Sequence, residues 1–326
     1  LLLTPDRISG MASMLREVVA LPDPIGELSE EDVRPNGLKI ARMRIPIGVI
    51  AMIYESRPNV TTDAAALCLK SGNVAILKGG SEAIHSNRIL ATICSDALES
   101  VGLPRAGVTL VDTTDRAAVL ELPHQEDIVD LVIPRGGEGL IRFVTRESRI
   151  PVVQHYKGVC HLFVDTEADQ ERAVSICVNA KAQRPGVCNA METLLIDQSI
   201  ATEFLTQLSP ALQEAGVDVR GDASVCQILE NATRATDEDW DTEYLDLVLS
   251  IRIVKGIEEA ISQMERCGSC HTDGILTRNE NHAQNFMNRV HSSAVMVNAS
   301  TRFNDGNQLG LGAEIGISTS RLHEYG

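Results

Sequence analysis

The chain has 326 residues, 44% of them hydrophobic and 23% charged, the balance of a water-soluble globular protein large enough for two hydrophobic cores. A net charge of −16 excludes a nucleic-acid binder, because phosphate backbones are held by clustered Lys and Arg. No apolar run approaches the ~20 residues that cross a bilayer, so no membrane association is expected.

The chain opens at Leu1, which reads as a trimmed start. Leu38 to Arg44 alternates apolar and basic residues, as an exposed strand does; it is either a solvated edge or a strand that pairs with another subunit. Ile47–Tyr54, Asn73–Lys78, Gly107–Asp112 and Ile128–Pro134 then read as buried strands. The clearest helix between them is Ser81–Val101, with Ile84, Leu90, Cys94, Leu98 and Val101 at helical spacing. Ser81 is its expected N-cap, and Gly102 and Pro104 close it. A second series of strands follows at His161–Asp165, Glu192–Asp197, Val248–Val254, Asp273–Thr277 and Ala294–Asn298, with an acidic surface loop expected over Asn231–Thr242. Such alternation implies an α/β fold with mainly parallel sheets covered on both faces.

Eight cysteines are scattered through the chain, too sparse for a disulfide scaffold of this length, and several lie in apolar runs. A reducing cytoplasm is the simplest setting. Cys188 stands apart in Gln183-Arg-Pro-Gly-Val-Cys-Asn189, a polar loop between a helical stretch and a strand. A thiol there is either a nucleophile, which must be accessible and able to ionise, or an ordinary loop cysteine. In Lys78-Gly-Gly-Ser-Glu82 a strand runs through glycines into a helix, which is either an anion site with Lys78 adding charge or a tight turn. Ile133-Pro-Arg-Gly-Gly-Glu-Gly139 repeats the pattern. Neither is a GxGxxG fingerprint, and Gly310–Gly316 has one residue too many. Cys267-Gly-Ser-Cys-His271 matches a haem-attachment pattern without the rest of a haem framework, and it lacks the second CxxC of a zinc site. No metal site is expected.

In this order the elements resemble the aldehyde-dehydrogenase superfamily: Pro46-Ile-Gly-Val-Ile50, Ser71–Lys78, Gly102-Leu-Pro104, then the cysteine loop. Within it, six motifs are similar to those of the gamma-glutamyl phosphate reductase family: Tyr54-Glu-Ser-Arg-Pro-Asn59, Lys78-Gly-Gly80, His85-Ser-Asn87, Ile133–Gly137, Arg184–Asn189 and Asn298–Gly306. The run from Phe303 to Leu322 is similar as well. The family usually carries a further helical N-terminal segment and a C-terminal tail, so a fragment is expected.

The resemblance implies two Rossmann-type α/β lobes with the active site in the cleft between them. Residues 1–153 and 299–326 would form the NADP(H)-binding lobe, with an oligomerisation strand near 38–44 and a homo-oligomeric assembly, and residues 154–298 the catalytic lobe. It implies NADPH-dependent reduction of L-glutamate 5-phosphate to L-glutamate 5-semialdehyde and phosphate, in proline biosynthesis, in functional association with glutamate 5-kinase. Another acyl phosphate reductase or aldehyde dehydrogenase of the superfamily is the alternative. Cys188 would be the nucleophile, and either Arg57 or Asn59 would act on the oxyanion or the departing phosphate. Lys78, Ser81, Glu82, Gly136, Gly137 and Glu243 would meet the cofactor, and Arg302, Ser300 and Asn298 the substrate; Arg302 is either a ligand of the substrate carboxylate or an ordinary surface or structural arginine. Hydrolytic members carry a water-activating Glu where this chain reads Gln154-His-Tyr-Lys-Gly158. Its absence suits an enzyme whose thioester must reach hydride before water.

Overall fold

In the computed structural model, which describes residues 3–55 and 57–319, the alternation of strands and helices builds two parallel sheets, each within its own compact unit. Among the described residues, the first unit comprises 3–154 with Gly312–Ile317, and the second comprises His155–Leu311 with 318–319. Residues 299–311, expected with the first, lie with the second.

The first unit starts with α1 (Pro5–Ala20), capped by the Thr4 side chain, and an antiparallel hairpin of β1 (Leu28–Val33) and β2 (Lys39–Met43). Every residue of both hairpin strands is exposed. The sheet proper consists of β3 (Val49–Tyr54), β4 (Val74–Gly79), β5 (Val108–Leu110) and β6 (Leu131–Arg135), in the order β5-β4-β3-β6. The apolar run Val-Ile-Ala-Met-Ile-Tyr makes β3 a central strand buried on both faces. Its even residues Ile50, Met52 and Tyr54 pack with Ala64, Ala65 and Cys68 of α2 (Asn59–Lys70), and its odd residues Ala51 and Ile53 with Val144 of the helix that follows β6. The remaining helices are α3 (Ile84–Ser100), α4 (Ala117–Glu121) and α5 (Glu138–Glu147). Ser81 does not cap α3: it opens a 3-10 turn, Ser81–Ala83, whose N-cap is Gly80.

The second unit carries a seven-stranded parallel sheet. Its strands are β7 (Cys160–Val164), β8 (Met191–Asp197), β9 (Asp218–Gly221), β10 (Thr233–Arg234), β11 (Val248–Val254), β12 (Thr272–Leu276) and β13 (Ala294–Val297), in the order β10-β9-β11-β8-β7-β12-β13. β8 and β7 lie at the centre and are buried along their whole length. Leu162, Val164, Leu194 and Ile196 face one core with α6 (Gln170–Ala182) and α7 (Ala201–Glu214), and Phe163 and Leu195 face the other with α9 (Ile257–Cys267) and α10 (Glu280–Arg289). The short helix α8 (Ala223–Ile228) sits between β9 and β10. The expected loop at 231–242 contributes the edge strand β10 and a 3-10 turn that buries Trp240.

Candidate active site

α6 ends at Ala182 with Gln183 as its C-cap, and Pro185 keeps the preceding Arg184 from continuing the helix. The chain then turns sharply into β8, and the Ala190 N–H donates to the Val187 carbonyl across 3.0 Å. Cys188 stands in this turn, half-buried. Its surroundings leave little freedom. A Cβ on Gly158 would lie 1.8 Å from the Cys188 carbonyl oxygen and 2.6 Å from its Cα, so only glycine fits there. The Gly158 N–H donates to Glu243 Oε1 at 2.9 Å, and the Cys160 thiol donates to the Cys188 carbonyl at 3.2 Å. On the other side, Asn189 Nδ2 donates to the Asn304 carbonyl at 2.8 Å.

Arg302 spans both ends of the loop, its Nε donating to Gln183 Oε1 at 3.1 Å and its Nη1 to Asn189 Oδ1. Ser300, buried, caps this segment by accepting from the Arg302 N–H at 3.2 Å. Asn298 spends both ends of its amide on the backbone of Thr277, at 2.9 and 2.8 Å, and holds a left-handed φ of 53°. Of the three residues expected at the substrate, Arg302 reaches the cysteine loop, Ser300 supports Arg302, and Asn298 ties the end of β13 to that of β12. Glu243 touches the loop's glycine neighbour, which the sequence does not reveal.

Beneath the loop lies a fully buried ion pair, Lys181 Nζ to Glu192 Oε2 at 2.5 Å. Burial pushes Glu192 up to about 7 against the pull of Lys181, and pushes Lys181 down. The Leu245 N–H donates to the other oxygen of Glu192 at 3.3 Å, so the segment carrying Glu243 is anchored at both ends to the base of the site.

In the first unit the candidates gather at the carboxyl ends of adjacent parallel strands, the edge at which α/β sheets bind ligands. Tyr54 pairs with Gly79 on one side and Arg135 on the other, so the segments after β3, β4 and β6 emerge side by side. Lys78 is buried, with its ammonium on the Gly79 carbonyl at 3.0 Å. Burial lowers its pKa, and Glu82 and Asp115 oppose that shift. Ser81 is exposed, and Glu82 folds over Gly80, where a Cβ would meet its carboxylate at 2.3 Å. At the start of α5 the Gly137 N–H donates to Glu55 Oε2 at 2.9 Å, and a Cβ on Gly136 would lie 2.4 Å from the same oxygen. That helix terminus already holds a carboxylate, so a pyrophosphate there requires Glu55 to swing away.

Arg57 and Asn59 are both exposed; Asn59 Nδ2 donates to Asp63 Oδ2 one turn along α2, at 2.8 Å. Ser56, between the motif residues Glu55 and Arg57, and Leu322, which ends the last motif, lie outside the described residues. The Tyr54 hydroxyl lies 2.7 Å from Thr61 Oγ1, which donates to Asn87 Oδ1 at 3.1 Å. The Asn87 amide nitrogen presses on Gly79, where a Cβ would meet it at 2.1 Å. Neither this brace nor the roles of Glu55 and Cys160 could be read beforehand, since each depends on strands distant in sequence.

The residues of the sheet edge suit the phosphates of a nicotinamide dinucleotide, with Lys78 as a buried cation beside glycines that add no side chain of their own, once Glu82 and Glu55 move off those glycines. Residues 4–235 match the aldehyde dehydrogenase family, whose members use nicotinamide cofactors. The chain is 55% identical, over its full length and 78% of the relative's, to gamma-glutamyl phosphate reductase from Geobacter metallireducens. It is 57% identical to that of Desulfatibacillum aliphaticivorans, over 98% of this chain and 76% of the relative. The crystal structure of gamma-glutamyl phosphate reductase from Thermotoga maritima superposes with a TM-score of 0.94 at 46% identity, covering 100% of this chain and 79% of that one. The chain belongs to the aldehyde dehydrogenase family, and within it to the gamma-glutamyl phosphate reductases.

Proposed function

We propose that the chain reduces L-glutamate 5-phosphate to L-glutamate 5-semialdehyde and phosphate with NADPH, a step of proline biosynthesis, through a thioester on Cys188. The observation that carries this reading is the clamped turn around Cys188, held by Gly158, Cys160 and Asn189 in a chain 55% identical to an enzyme of that name.

The Cys188 thiolate attacks the acyl carbon, and the C–O bond to phosphate breaks, leaving the acyl group on sulfur. When bound, the reduced nicotinamide supplies the hydride. Cys188 then departs as thiolate as the carbonyl of the aldehyde re-forms, and it is ready for a second substrate. The turn's hydrogen bonds hold the sulfur in one attack geometry, which lowers the entropy cost of both steps. Asn59 already donates to Asp63, which favours Arg57, with its full charge and five donors, for the departing phosphate. Lys78 is assigned to the adenosine ribose and its 2′-phosphate, with Ser81 and Glu82 beside it; Gly136 and Gly137 are assigned to the cofactor's path. Glu243 is assigned to the nicotinamide ribose, a role for which it must share its carboxylate with Gly158.

Water is kept inactive by what the Gln154–Gly158 stretch lacks. Gln154 is an amide that accepts from Thr145, and Gly158 has no side chain at the point nearest Cys188. The first unit is accordingly the NADP(H)-binding lobe and the second the catalytic lobe. Among the described residues no helix is long and apolar enough to cross a membrane. Eight cysteines scattered through 326 residues suit a reducing cytoplasm. The hairpin exposes Leu28, Val33, Ile40 and Met43, each more than 45% accessible, and we assign this surface to pairing with a second copy of the chain. The acyl phosphate is labile, which favours functional association with its source, glutamate 5-kinase.

The reaction is tested in reverse, by following NADPH formation from semialdehyde, NADP+ and phosphate. Turnover with glutamate semialdehyde that exceeds turnover with acetaldehyde or propionaldehyde supports the reading. Equal turnover of the simple aldehydes contradicts it and moves the chain to a general aldehyde dehydrogenase.

A further inference from the structure

Behind the nucleophile's turn lies a second cysteine that the reaction does not consume. Cys160 opens β7, is fully buried, and donates its thiol to the carbonyl oxygen of Cys188 at 3.2 Å. The β7–β8 register is irregular between Cys160 and His161, and such an irregularity re-aims the side chain beside it.

The thiol is one link of a longer path. Cys160 Sγ lies 3.7 Å from His271 Nδ1, which is 2.8 Å from Thr272 Oγ1. Thr272 Oγ1 accepts from Asn304 Nδ2 at 2.7 Å, and the Asn304 carbonyl accepts from Asn189 at 2.8 Å. The path leaves from the carbonyl of Cys188 and returns at the side chain of the next residue, so the nucleophile is gripped from both sides. Cys160, His271, Thr272, Asn304 and Asn189 are all buried, in surroundings where hydrogen bonds are strong and losing a partner is costly. Burial pushes the Cys160 thiol well above its usual range, so it stays protonated and remains a donor. Burial, with a smaller push from His155, takes His271 down to about 3, so the imidazole is neutral at physiological pH.

The direction of the Cys188 carbonyl sets the ψ torsion of that residue and, through it, the path of the turn that carries the sulfur. We propose that Cys160 is a positioning residue for acyl transfer, its thiol fixing the backbone orientation from which Cys188 presents its sulfur. The inference rests on Cys188 as the nucleophile.

Three variants test it: Cys160→Ala and Cys160→Val, which lose the donor, and Cys160→Ser, which keeps one. Val fills the thiol's space, so a loss of kcat at an unchanged melting temperature reports the hydrogen bond and not a cavity. In the oxidation direction, kcat is expected to fall about tenfold in the Ala and Val variants, with KM for NADP+ unchanged and most of kcat recovered in Cys160→Ser. Wild-type kcat in Cys160→Val, or a Ser variant as slow as the Val variant, overturns the proposal. Alkylation of the wild type with peptide mapping separates the two claims. If inactivation follows another cysteine, the nucleophile assignment falls; if it follows Cys188 while Cys160→Val turns over normally, only the positioning role falls.

Discussion

Gly158 approaches Cys188 so closely that a single added carbon would overlap the cysteine's carbonyl oxygen, at 1.8 Å. Backbone meets backbone there, so no side-chain rotation relieves the clash. Gly158→Ala is therefore expected to displace the turn or the strand entry at β7. Steady-state kinetics should show kcat down by about 100-fold or more, the scale of loss for an ångström-sized misplacement of a reacting group. The melting temperature should fall as well. An alanine variant with near-normal kcat would show that the turn is not held in this position during catalysis.

Arg302 separates a structural from a substrate-binding role. Its guanidinium already bridges Gln183 and Asn189 at the two ends of the cysteine loop. Arg302→Ala is expected to lower kcat about tenfold or more, with a smaller change in KM for the semialdehyde. A large rise in KM at constant kcat would instead place Arg302 on the substrate carboxylate, one of the two roles the sequence leaves open.

Lys78→Met keeps the buried stem and removes the charge. If Lys78 meets the 2′-phosphate, KM for NADPH should rise about tenfold while KM for NADH changes little. A parallel rise for both cofactors would place the charge elsewhere on the dinucleotide.

The fold and the site were legible in the sequence to different degrees. β3 and β8 announce themselves because apolar runs buried on both faces need no partner to be recognised. β9 and β10 leave no readable signal, since strands of four and two residues have too short a pattern and exist by pairing with β11 and with each other. Cys188 was visible through its Pro-Gly loop and the motif around it. The partners that hold it lie 28 residues away at Cys160 and 115 residues from Asn189 at Asn304, and no local pattern reports such contacts. Glu55 was likewise hidden: its contact with Gly137 exists only because β3 and β6 are neighbours in the sheet.

His271 gives a pH signature. Its folded pKa, about 3, lies below the unfolded value of 6.5, so the neutral ring contributes stability that is present above pH 6.5 and is lost as pH falls toward 3. Each pH unit in that window costs about 1.4 kcal/mol while the folded ring stays neutral. Chemical denaturation from pH 7 to pH 4.5 should therefore show a smaller loss in His271→Gln than in the wild type. Equal slopes would mean that His271 titrates normally in the folded protein.

A thioester on Cys188 is expected to wait for phosphate and to resist water. This is tested most directly by supplying semialdehyde and NADP+ without phosphate, quenching with acid, and weighing the peptide that contains Cys188. A glutamyl adduct on that peptide is expected, with one equivalent of NADPH formed in a burst and discharge of the adduct when phosphate is added. An unmodified Cys188 peptide during turnover, or steady release of glutamate at a comparable rate without phosphate, would contradict it.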